Sequence, residues 1–90
     1  MNKDEISQKD QANDIIVQAK TLMQKQQISQ AETLISTLLA QNEDNFEGLY
    51  ILSVCQRYLK KYQQALQTLN KLKLIDPHYG RAYQEEGHIH

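Results

Sequence analysis

The sequence predicts an all-α chain built from antiparallel helix pairs, on three observations. Apolar residues recur at the three- and four-residue spacing of a buried helix face, and no cluster of β-branched and aromatic residues alternates with the two-residue period of a strand. The pattern also repeats: Gln30 and Gln64, Ala31 and Ala65, and Leu38 and Leu72 each stand 34 residues apart, as do the similar pairs Ile28/Tyr62 and Ile35/Leu69. Finally, breakers are sparse. Three glycines and one proline punctuate the chain, with turn chemistry at "NEDN" and a stop at Asp76–Pro77.

A first helix begins between Glu5 and Asp10 and runs to about Lys25, placing Ile15, Ala19, Leu22 and Met23 on one side. After a break near 26–28, Ser29 with Glu32 reads as a capping box for a second helix that reaches about Gln41. Its apolar side holds Ala31, Leu34, Ile35, Leu38 and Leu39. Asp44 or Asn45 caps a third helix, which carries Leu49, Leu52, Cys55, Gln56 and Leu59 and ends near Lys60. The fourth runs from about Tyr62 to Leu74 with Ala65, Leu66, Leu69 and Leu72 inward. Pro77 cannot continue it, because proline lacks the amide donor and pushes Asp76 out of helical geometry. A fifth helix starts between His78 and Arg81.

A 34-residue unit of two helices resembles the tetratricopeptide repeat (TPR) family. In the second copy the family pattern falls on Leu49, Leu52, Ser53, Gln56, Tyr62, Ala65, Leu69 and Pro77. The first copy keeps Ile15, Ala19, Leu22, Ile28, Ala31 and Ile35, with Gln18 and Glu43 at the leucine and proline positions. A third begins with Ala82, Tyr83 and Gly87, with Glu86 where leucine is usual. The units span about 12–45, 46–79 and an incomplete 80–90, within one domain. Small residues let paired helices approach: Ala19, Ser53 and Gly87 on the first helix of each pair, Ala31 and Ala65 on the second. The resemblance implies a right-handed solenoid whose first helices line a concave groove. Solenoids usually need about three units and a polar cap. The chain is therefore expected to be a fragment of a longer protein or to dimerise through its open repeat ends, with Tyr79, Tyr83 and Ile89 poorly covered. The segment "GRAYQEEGHIH" is also similar to the repeats ahead of the catalytic domain in bacterial TPR-containing sulfotransferases. On that reading the chain is a non-catalytic N-terminal segment of a larger transferase.

Composition narrows the function. Ten basic and eleven acidic side chains leave a net charge of −1, so no global field favours nucleic acid or an anionic membrane. A single cysteine forbids an internal disulfide and a cysteine zinc site. No apolar run reaches membrane-spanning length and the first residues lack a signal-peptide core, so a cytoplasmic setting is the default expectation. There is no phosphate-binding glycine loop and no HExxH. His88 and His90 point to different sides of a helix, and with His78 read as surface histidines rather than metal ligands. Cys55 reads as a buried small apolar residue rather than a nucleophile. Glu85 and Glu86 read as a solvated face. No catalytic residue and no cofactor are expected.

The resemblance instead places a partner-binding groove on Asn13, Ile16, Lys20, Met23, Glu47, Tyr50, Val54, Arg57 and Arg81, for a protein or peptide partner. Tyr50, Arg57 and Met23 are types that suit an interface. The cationic clamp by which some TPR domains grip acidic tails would fall on Ile16, Lys20, Ile51, Arg81 and Glu85. Two cations and one carboxylate there argue against an acidic-tail receptor.

Overall fold

Helix-forming glutamine, leucine, alanine and lysine dominate between the few breakers, and five helices result. The computed structural model describes residues 3–89, with side chains from residue 11 onward. Helix α1 spans Lys3–Gln24, α2 Ile28–Gln41, α3 Phe46–Tyr58, α4 Tyr62–Ile75 and α5 Gly80–Ile89; no strand occurs among the described residues. Helix α1 pairs with α2 and α3 with α4. Helix α3 packs on α2 and touches α1, and α5 rests in the same way on α4 and α3. This arrangement of adjacent antiparallel helices is that of TPR-like repeats.

The period extends to the loops. The turn inside each pair passes through one left-handed residue, Gln26 at φ 66° and Lys60 at φ 63°, again 34 apart. Gln27 N–H then donates to Leu22 O and Lys61 N–H to Gln56 O, each at 2.8 Å. These bonds close the last turn of the preceding helix as a glycine C-cap would, although neither residue is glycine. The second helices end alike as well: Asn42 N–H donates to Leu38 O and Asp76 N–H to Leu72 O.

Two apolar clusters hold the stack. One joins Ile16, Ala19, Ala31, Ile35, Leu38, Ile51 and Cys55; the other joins Leu49, Leu69, Leu72 and Ala82. Burial of each large side chain stabilises by roughly 1.5–3 kcal/mol. Ala19, Ala31 and Ala65 are 0% exposed, as is Ser53, whose hydroxyl donates to Tyr50 O at 2.6 Å.

Some expectations need correction. Ser29 does not cap α2: the helix already begins at Ile28, Gln27 gives no side-chain cap, and the Glu32 carboxylate accepts from Lys61 Nζ at 3.0 Å instead. The left-handed turn has already set the helix start, so no box is needed. Of the two caps expected for α3 it is Asn45 that serves, its side chain accepting from Gly48 N–H at 2.9 Å, and the helix ends at Tyr58, two residues before Lys60. Gly87 makes no close approach, since a Cβ there would meet nothing within 4 Å. Gly48 is the glycine that does: its Cβ would stand 3.2 Å from Leu39 Cδ2, so its lack of a side chain lets α3 settle on α2. Tyr79 is half-buried against the second cluster rather than left uncovered.

Candidate functional site

The first helix of each pair, α1, α3 and α5, lies beside its counterpart, because α3 touches both α1 and α5. Their shared face carries most of the residues expected to bind a partner. Lys20 and Arg57 are each paired with a carboxylate of the adjoining helix. Lys20 Nζ donates to Glu47 Oε1 at 3.0 Å, linking α1 to α3. Arg57 Nε donates to Glu85 Oε2, linking α3 to α5. Arg81 lies 5.7 Å from the centre of the Tyr50 ring, a cation–π contact from α5 back to α3. Asn13 is exposed at the edge of α1.

The other three supply support. Ile16 is 5% exposed and Val54 9%, and Met23 packs half-buried on the first cluster. Their side chains face inward because the groove stripe and the core stripe of a helix adjoin, and apolar residues at the boundary turn toward the core. Ile51, one of the clamp positions, is likewise buried at 3%.

Glu85 corrects the reading of a solvated carboxylate. Its side chain is 3% exposed and held by Arg57, whose side chain is 23% exposed. A buried carboxylate requires such a partner. The hydrogen bond to Glu85 raises the Arg57 pKa above its ordinary value against the opposing pull of partial burial. Glu86 pairs instead with Lys73 of α4.

An aromatic cluster at the start of α3 was not foreseen. Phe46 meets Tyr79 edge-on at 5.6 Å between ring centres, and Tyr50 meets Tyr79 at 6.0 Å, also edge-on. Burial raises the Tyr79 pKa, and the nearby Arg81 guanidinium partly offsets this. Phe46 and Tyr50 stand four apart on one helix, a spacing that could have signalled their shared face. Tyr79 reaches them from the loop after Pro77, a contact that only the chain's return makes.

Cys55 is wholly buried. Desolvation, then the field of Glu32, pushes its thiol up to about 11, against a lowering backbone hydrogen bond, so the side chain is neutral near pH 7. Among the described residues no group of three or more His, Cys, Asp or Glu converges as a metal site, and no helix is long and apolar enough to cross a membrane. His78 and His88 are exposed, while His90 lies outside the described residues.

A family model described as "Anaphase-promoting complex, cyclosome, subunit 3" matches residues 5–72. That span takes in most of α1, all of α2 and α3 and most of α4, and it does not reach the segment 80–90 on which the expected likeness to sulfotransferase-associated repeats rested. No curated protein matches the chain.

Proposed function

The chain belongs to this family of TPR-type repeats, and from that premise we propose that it is a non-catalytic protein-interaction module binding a peptide or protein domain along the α1–α3–α5 face. One observation carries the reading. Asn13, Lys20, Glu47 and Arg81 reach the surface from three neighbouring helices, together with Tyr50, which also packs against both apolar clusters. Side chains that rigid helices hold in place offer a preorganised contact surface with little left to order on binding.

The test uses the full chain as bait, compared with a Lys20→Ala/Arg81→Ala variant. Partners captured by the native chain should be lost by the variant while its helical circular dichroism is unchanged. Amide shifts on adding a purified partner should fall on α1, α3 and α5. Equal capture by both baits, or shifts confined to α2 and α4, would remove this face from the interaction. Arg57 is unsuitable for such a test because it holds Glu85.

A second reading, self-association through α5, is favoured by Gly87. Its counterparts at the 34-residue period, Ala19 and Ser53, are both 0% exposed, whereas Gly87 faces open space and Tyr83 nearby is 49% exposed. Sedimentation should then show a dimer at rising concentration that Tyr83→Lys abolishes. A monomer at every concentration ends this reading.

A further inference from the structure

The 34-residue stride gives α5 a template in α3. Helix α3 seats on α2 through Ile51 and Cys55, which share a cluster with Ile35 and Leu38, and through Gly48, which leaves room for Leu39. One stride on, α5 lies on α4 in the same register. Ala82, Glu85 and Ile89 stand where Gly48, Ile51 and Cys55 stand, and Leu69 and Leu72 where Ile35 and Leu38 do. The middle position differs in kind. Where α3 presents an aliphatic side chain, α5 presents a carboxylate, and Glu85 is as deeply buried as Ile51.

Glu85 is tolerated there because Arg57 of α3 donates to it. Such a pair does less for docking than an aliphatic residue, since desolvating both charges offsets most of their attraction. Leu69 and Leu72 beneath are 0% exposed, so the seat is as apolar as its template. The mismatch lies in the helix that fills it. The α4 seat continues the α2–α3 interface by one unit, and a helix built like α3 suits it better than α5 does. The link Asp76–Tyr79 keeps α5 in place. A short tether of this kind holds its helix at an effective concentration of about millimolar, so a free helix replaces α5 only by fitting better.

We propose that α5 is a displaceable cover, and that the α4 seat beneath it receives an amphipathic helix of a partner protein. That helix carries a small residue, an aliphatic one three positions later and a small apolar one four beyond, the spacing of Gly48, Ile51 and Cys55. It enters as α3 enters on α2, antiparallel to α4, with its aliphatic side chain where Glu85 stood. Glu85 and Arg57 then both return to water, the state in which neither charge is left buried alone. Arg81 departs with α5, so filling the seat also reshapes the α1–α3–α5 face.

The experiment measures fluorescence anisotropy of two labelled peptides against the full chain. One has the sequence of residues 77–90, and the other is the same with Glu85→Ile. The Ile peptide should bind about tenfold tighter than the native-sequence peptide. At saturation it should strip hydrogen-exchange protection from α5 of the chain while α2 stays protected. The Arg57→Ala chain, with α5 loosened, should bind the Ile peptide about tenfold tighter again, and the Glu85→Ile chain, which grips its own α5 more firmly, about tenfold weaker than the native chain. Circular dichroism checks each chain, and the Glu85→Ile chain decides the matter if Arg57→Ala unfolds. Equal binding of the two peptides overturns the proposal, as does a Glu85→Ile chain that binds like the native one. Binding that leaves α5 protected overturns it by placing the peptide elsewhere. Failure of both peptides on the native and Arg57→Ala chains overturns it too, and the α1–α3–α5 face is then judged separately by the Lys20→Ala/Arg81→Ala capture comparison.

Discussion

Arg57→Ala should destabilise the docking of α5 far more than Glu85→Gln, although both break the same ion pair. The asymmetry follows from burial. The Glu85 side chain is 3% exposed and that of Arg57 is 23% exposed. Removing Arg57 strands a carboxylate that water cannot reach, which costs about 3–5 kcal/mol. Glu85→Gln removes the charge but keeps an oxygen that Arg57 Nε can still donate to, and the freed guanidinium can hydrate. That change should cost about 1–1.5 kcal/mol. Among the described residues helix α5 is held by α3 and α4 alone, so it should detach before the remaining helices unfold. Native-state hydrogen exchange resolves this. In Arg57→Ala the amides of α5 should lose most of their protection while those of α2 keep most of theirs, and in Glu85→Gln the α5 amides should lose only about tenfold with α2 unchanged. Adding Glu85→Gln to Arg57→Ala should restore much of the lost protection by discharging the stranded group. Equal losses in the two single variants, or no rescue in the double, would refute the argument that Glu85 is held in a site closed to water.

Other consequences are equally specific. Asn45→Ala should lower the unfolding free energy in urea by about 1 kcal/mol, because the Gly48 amide loses its cap. Gln26→Gly and Lys60→Gly should each raise it by about 0.5–1 kcal/mol, since a left-handed backbone disfavours any residue with a Cβ. The Cys55 thiol ionises at about 11 in the fold against 9.0 ordinarily. The folded chain therefore holds the proton to higher pH than the unfolded one. Its contribution is complete below pH 9 and lost as pH climbs through 11, roughly 3 kcal/mol at most. Unfolding curves across that range should be steeper in pH for the native chain than for Cys55→Ala.

Helix number, pairing and the 34-residue stride were legible because each rests on local chemistry. Ala31 and Ala65 are the small residues at the crossings, Pro77 ends a unit, and Asn45 is a cap whose donor, the Gly48 amide, lies three residues on. The site was less legible for a physical reason. Lys20, Arg57 and Arg81 look like free cations in sequence, since their partners Glu47, Glu85 and Tyr50 lie 27 to 31 residues away across a helix stack. The stride could have found them, because a residue on one first helix faces the next first helix about one unit on. Ile16 and Val54 fell on the wrong side of a boundary that a stripe of residues cannot place to within one side chain. The role of Gly48 is not legible locally, because it depends on Leu39 of another helix.

The most direct test of the stacking account is overpacking at its two matched crossings. Ala31 and Ala65 are both 0% exposed and stand one stride apart. Ala31→Leu and Ala65→Leu, each unfolded in urea, should both be less stable than the native chain by about 1–3 kcal/mol, because the helices cannot separate without opening the core. If either variant were as stable as the native chain or more so, the tight helix pairing on which the fold and its binding face depend would be contradicted.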